Sequence, residues 1–294
     1  MHATGKTEDR VFGLSDRLPP LPIVTRESHE FDLLSVSVDG AEVAYAQQGR
    51  LALPPLVLLH GWGASHKFWK YCYSAFAPRW RVIAPDLVGF GLSEKPRRDY
   101  SIEALSDWLG KFLDSLHLDR VVLVSHSMGA TIGLQYALSH PERLNKLAVV
   151  NPLVVGATAF NDRTRFSMTP GIRWLLYWGS RITPVRRWVT RDFSYIQRYD
   201  DELSRDMIRG SYQSTVDLLI SGAKIDLRPK LSALAVETLA VGTDRDLLVA
   251  PDQYTLVPAH RRELITDSGH VPMVERPEEF NRILDSFLTP APAH

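Results

Sequence analysis

The chain has 294 residues, 45% of them hydrophobic, which is long for one small domain and ordinary for one α/β domain carrying an insertion. Lysine and arginine together number 34, as do aspartate and glutamate, so nothing in the total charge favours nucleic acid or an anionic membrane. The single cysteine, Cys72, excludes an intramolecular disulfide and any cysteine-based metal cluster, and it fits a reducing cytoplasm.

Residues 1–33 read as a polar arm, with Lys6, Glu8, Asp9 and Arg10 ahead of Leu18-Pro19-Pro20-Leu21-Pro22 and no apolar stretch that could serve as a signal peptide. No window approaches the roughly twenty apolar residues of a membrane span. The expected location is therefore the cytoplasm. From Leu34 the pattern changes. Ser35-Val36-Ser37-Val38 alternates, Asp39-Gly40 is a hairpin turn signal, and Glu42 to Ala46 resumes the strand.

Two continuous apolar runs follow, each ending in a glycine loop. Leu56 to Leu59 leads into His60-Gly61-Trp62-Gly63, and Arg81 to Pro85 leads into Asp86-Leu87-Val88-Gly89-Phe90-Gly91-Leu92-Ser93. Helices are expected over 65–76 between them and over 102–116 after them. Val121 to Val124 is the next apolar run, and Met128 to Ser139 reads as a helix, so Ser125-His126-Ser127-Met128-Gly129 occupies a strand–turn–helix junction. That is the context of a nucleophile elbow, in which a serine on a sharp turn projects its hydroxyl above the sheet. Ser125 stands where the G-x-S-x-G pattern has its first glycine; serine is small, so the departure is mild.

Further apolar runs at 147–150, 238–242 and 263–266 and a helix at 278–288 complete the series. Buried strands alternating with helices imply a mostly parallel sheet covered on both faces, with ligands at the carboxyl ends of its strands. His60, Asp86 and Ser127 all lie just past such ends. The interval 152–230 is too long for a loop and helix-like, with Trp174, Trp178 and Trp188; it reads as an inserted helical cap on a core of residues 34–151 and 231–289.

These residues resemble the α/β-hydrolase superfamily, and within it the capped serine hydrolases that include carboxylesterases and lactonases. The resemblance runs from about Val36 to Leu288. It rests on His60 to Gly63, Asp86 to Ser93, Ser125 to Gly129, Gly242 to Pro251 and Ser268-Gly269-His270, in the family's order of nucleophile, acid and histidine. It implies Ser127 as nucleophile, His270 as base, and oxyanion donors at the backbone amides of Met128, the residue after the nucleophile, and Trp62.

Physical arguments stand beside each role. A serine hydroxyl needs a base to take its proton, and a histidine held by a carboxylate is the usual one. His270 follows Asp267-Ser268-Gly269 and precedes Val271-Pro272, which puts it on a loop past the last strand. The acid comes from Gly242-Thr243-Asp244-Arg245-Asp246. The family pattern of short apolar residues and a proline after the acid suits Asp246, followed by Leu247-Leu248-Val249-Ala250-Pro251, while the glycine spacing keeps Asp244 open. His126 is expected to be a structural histidine under the turn, His60 a brace for the oxyanion loop, and Asp86 to Ser93 a packing element.

The apex serine argues against haloalkane dehalogenases and epoxide hydrolases, which share the layout but use an aspartate. No H-E-x-x-H, cysteine pair or phosphate-binding glycine loop is present, and acyl hydrolysis needs neither metal nor cofactor. The expected substrate is a small-molecule carboxylic ester, with no nucleic acid and no obligate protein partner. A carbon–carbon bond hydrolase, an acyltransferase and a non-catalytic receptor on this fold stay open as alternatives.

Between Arg163 and Arg198 stand eight arginines and one acid, Asp192. A helix from Gly171 to Ile182 would align Trp174, Leu175, Trp178 and Ile182 in one stripe with Arg173 and Arg181 outside it. Two readings follow. In one, Trp174 and Trp178 roof a substrate pocket while the arginines are solvated or pair with Asp200, Asp201, Glu202 and Asp206. In the other, the stripe makes transient contact with a lipid surface or an anionic substrate.

Overall fold

A computed structural model of the chain describes residues 31–160, 165, 166, 168–185, 201–207 and 209–289. The expected polar arm therefore lies almost wholly outside the described residues, and its boundary moves: the first strand, β1 (Asp32–Val38), begins inside it. Asp39 and Gly40, both with positive φ, close a two-residue turn into β2 (Ala41–Gln48), where Val38 pairs with Ala41.

The sheet continues with β3 (Pro55–Leu59), β4 (Arg81–Pro85), β5 (Val121–His126), β6 (Leu144–Val150), β7 (Thr238–Thr243) and β8 (Arg261–Ile265), in the spatial order β1-β2-β4-β3-β5-β6-β7-β8. Every pairing from β4 to β8 is parallel, and only β2 runs against the rest. The continuous apolar strands divide their side chains between two layers, as period two requires. Val57, Leu59, Val121 and Leu123 pack with Trp108, Phe112 and Tyr136 on one face. Leu56, Leu58, Val122 and Val124 pack with Trp69, Phe76 and Phe280 on the other.

The first layer is carried by α2 (Ile102–Ser115) and α3 (Met128–Ser139). The second is carried by α1 (Tyr73–Phe76) and the C-terminal helix (Pro277–Leu288). The single helix expected over 65–76 is broken: a 3-10 turn, His66–Trp69, precedes α1. The Asp86 carboxylate caps the 3-10 turn by accepting the His66 amide at 2.6 Å, and Tyr73 Oη, from α1, donates to His66 O at 2.9 Å.

Within 152–230 the described helices are α4 (Gly156–Ala159), α5 (Pro170–Gly179), α6 (Asp201–Asp206) and α7 (Tyr212–Lys224), inserted between β6 and β7. No described helix is long and apolar enough to cross a membrane. Two further helices, α8 (Pro272–Glu275) and the C-terminal helix, here α9, follow β8.

Candidate active site

Ser127 sits between β5 and α3 with φ 55 and ψ −125, a backbone conformation that L-residues rarely adopt and that presents the side chain at the apex of the turn. Its amide donates to Val150 O at 2.8 Å, which ties the apex to the end of β6. Close approach dictates the small neighbours. A Cβ on Gly129 would lie 2.2 Å from the His60 carbonyl oxygen, and one on Gly61 would lie 2.8 Å from Ser127 Cβ. Ser125, in place of the pattern's glycine, fits because the residue it faces is itself glycine: a Cβ on Gly133 would stand 2.7 Å from Ser125 Oγ.

Ser127 Oγ lies 2.8 Å from His270 Nε2, and His270 Nδ1 lies 2.7 Å from Asp246 Oδ2. The serine, histidine and aspartate side chains are all but fully buried. Asp246 Oδ1 accepts the amides of Leu248 at 2.8 Å and Val249 at 3.0 Å, a local turn that aims the second oxygen at the histidine. Asp244 is placed elsewhere: it faces Arg245 at 3.5 Å and the Ser268 amide at 3.4 Å, and its side chain is 28% exposed. The structure thus brings Ser127, His270 and Asp246 together and leaves Asp244 outside.

The loop after β3 crosses beside the serine at the point where the strand order reverses, β3 neighbouring both β4 and β5. His60 bridges this loop to the next: Nδ1 donates to Gly61 O at 2.8 Å and Nε2 accepts the Leu87 amide at 2.9 Å. That donor–acceptor pattern needs a neutral ring, and burial holds its pKa low. Trp62 and Met128 are both contacted by the insertion. Trp62 Nε1 donates to Thr215 O at 2.8 Å, and a Cβ on Gly222 would lie 2.8 Å from Met128 Cε. Ser65 Oγ donates to Asp206 Oδ2 at 2.6 Å.

Those contacts correct the expected roof. The element against Trp62 and Met128 is α7, with α6 held beside it at Ser65, and not the tryptophan helix. Trp174 and Trp178 are 55% and 50% exposed, and α5 buries none of its residues, so its stripe faces outward. Asp206 is not free to pair with the cap arginines expected to meet it, because its carboxylate already serves Ser65, Arg209 and Lys67. Trp188, Arg163, Arg186, Arg187, Arg191, Arg198 and Asp200 lie outside the described residues, as do the side chains of Asp201 and Glu202.

His126 is also not under the turn. Its ring lies 4.7 Å from that of His270, and its Nε2 donates to the His270 carbonyl at 2.7 Å. Asn151, in a left-handed conformation at the end of β6, donates to the same carbonyl at 3.0 Å. Burial, with the neighbouring His270, pushes the His126 pKa well below the usual histidine range, so this ring stays neutral. Glu275 supports the same loop from α8: its Oε2 accepts the Gly269 amide at 2.6 Å. Asn151 and Glu275 were not singled out by sequence reasoning, and no local pattern marks either. Among the described residues no cluster of histidine, cysteine and carboxylate side chains has the makings of a metal site.

Residues 54–218 match the sequence profile of the alpha/beta hydrolase fold family. The chain is 29% identical to a pimeloyl-[acyl-carrier protein] methyl ester esterase of Aeromonas hydrophila over 256 residues, covering 80% of this chain and 95% of that protein. It is 30% identical to a putative carbamate hydrolase, RutD, of Serratia proteamaculans, covering 80% of this chain and 91% of that one. Among solved structures, a membrane phospholipase A described as a bacterial virulence factor superposes with a TM-score of 0.76 at 27% identity, covering 88% of this chain and 86% of the other. With the profile matched over more than half of its length, the chain belongs to the alpha/beta hydrolase family, as a hydrolase built on that fold.

Proposed function

We propose that this chain hydrolyses carboxylic esters through an acyl-enzyme on Ser127, with His270 as general base and Asp246 as the orienting acid. The observation that carries the reading is the unbroken line from Asp246 Oδ2 to His270 Nδ1 at 2.7 Å and from His270 Nε2 to Ser127 Oγ at 2.8 Å. In such a line the Ser127 proton passes to His270 Nε2 as Oγ bonds to the acyl carbon, while the aspartate holds the ring in the tautomer that can accept it and stabilises the imidazolium. His270 then gives the proton to the departing alkoxide, and a water deprotonated by the same nitrogen releases the acid. The developing oxyanion is assigned to the backbone amides of Met128 and Trp62, where one preorganised donor is worth roughly 3 to 4 kcal/mol.

The ester class is supported by the methyl ester esterase among the relatives. The carbamate hydrolase among them favours a second reading, in which Ser127 attacks a carbamate carbonyl, the alcohol or amine departs with the proton from His270, and water then releases the carbamoyl group from the serine. We assign 152–230 as the cap that shapes the pocket, through α6 and α7. A panel of p-nitrophenyl esters of rising chain length, run beside lactones and an aryl carbamate on purified protein, tests the proposal. Ester turnover well above that of the carbamate supports it. Carbamate turnover alone would transfer the assignment to the second reading, and an inactive panel would leave this fold as a binding scaffold.

A further inference from the structure

We propose that the outward face of α5 docks the protein on an anionic lipid surface. Trp174 and Trp178 stand four residues apart on α5 with Leu175 beside them, so the three share one face, and Ile182 follows just past the end of the helix. In that order they are 55%, 50%, 59% and 62% exposed, and Phe166, just before the helix, is 63% exposed. Five exposed large apolar side chains between Phe166 and Ile182, two of them tryptophan, are more than scattered surface hydrophobicity, and mark an interaction site.

The flank of the helix beside Trp178 is occupied. Tyr177 Oη donates to Gly210 O at 3.1 Å and its ring packs edge-on against Tyr212 at 5.0 Å, which anchors α5 to the segment leading into α7 and leaves the apolar face outward. Charge then decides the occupant. The Arg181 guanidinium lies over the rings of Tyr177 and Trp178, 4.2 and 4.4 Å from their centroids, and Arg165 is exposed beside Phe166. The sequence has no acid from Arg163 to Arg191. Tryptophans on a helix face with arginines flanking both its ends suit the headgroup boundary, where the rings enter the acyl edge and the guanidinium groups meet anionic headgroups. A second copy fits worse, because a two-fold contact through this face would set the same arginines against one another with no acid on the helix to offset them.

The test is flotation of the full chain with vesicles of phosphatidylcholine alone and with about one-third phosphatidylglycerol, at low and at physiological salt. Binding should be at least about tenfold tighter to the anionic vesicles, weaken with salt, and shift tryptophan emission to the blue. Trp174→Ser/Trp178→Ser should abolish it. Arg165→Glu/Arg181→Glu should weaken it by about thirtyfold or more, since each basic residue near such a surface is worth about fivefold, with soluble-ester turnover within about twofold of the parent. Equal binding to both vesicle types, or none to either, overturns the proposal. So does a tryptophan-dependent dimer without vesicle binding, which would give the face to a second copy. Because vesicle binding is read without substrate, it stands or falls separately from the ester reading.

Discussion

The carbonyl of His270 accepts hydrogen bonds from His126 Nε2 at 2.7 Å and from Asn151 Nδ2 at 3.0 Å, so the ends of β5 and β6 together grip the backbone that carries the proposed base. Neither donor touches the reacting atoms. They act through His270, and a displacement of about 1 Å in a catalytic group can cost 10²-fold. His126→Ala should therefore lower kcat by about ten- to a hundredfold with KM little changed, and His126→Gln, which can restore a donor, should recover much of the loss. A change confined to KM or to thermal stability would remove His126 from this positioning role.

The two aspartates of the β7 loop should separate sharply. Replacing a triad acid with its amide costs about 10⁴ in kcat with the geometry intact. Asp246→Asn should fall by three to four orders of magnitude on that ground, about the same loss. Asp244, paired with Arg245 at the surface, should as Asn keep activity within about tenfold. The measurement is kcat on one activated ester, with circular dichroism to confirm folding. The reverse ranking would make Asp244 the acid.

Asp86 should prove structural. It is fully buried, and its carboxylate accepts the His66 amide at 2.6 Å, His66 Nδ1 at 2.9 Å and the Leu92 amide at 2.7 Å. Burial alone would raise its pKa; the charge and hydrogen bond of His66, with the Leu92 amide, outweigh burial and bring it down to about 2. A carboxyl whose folded pKa is depressed adds stability at pH values above its unfolded value near 3.9, and that stability is lost as pH falls from there through about 2. Asp86→Ala strands three donors and should cost at least about 3 kcal/mol at neutral pH. The parent's unfolding free energy, followed from pH 5 to pH 2, should show a decline that the variant lacks, with both enzymes similar in kcat where both are folded.

The alternation of apolar runs with helices was readable because a buried parallel strand must be apolar on both faces. Ser127 was readable because a strand–turn–helix junction with small neighbours has few other uses. The choice between Asp246 and Asp244 was not settled by spacing, because it turns on a local fold in which Asp246 Oδ1 takes the Leu248 and Val249 amides and frees Oδ2 for His270. Glu275 and Asn151 were invisible for a related reason: each acts on the His270 loop through a backbone group, and such contacts leave no pattern in the acting residue's own neighbourhood. The amphipathic stripe of α5 was visible, but periodicity alone cannot say whether an apolar face turns inward or outward, and here it turns outward.

The central claim is an acyl-enzyme on Ser127, and the most direct measurement is peptide mapping of the intact protein after reaction with a fluorophosphonate probe, alongside kcat for Ser127→Ala. The account predicts one adduct, on the peptide carrying Ser127 and at that residue, and a folded variant that takes no label and has lost about a millionfold in ester turnover. Label on Ser125, or ester turnover that survives Ser127→Ala, would contradict it.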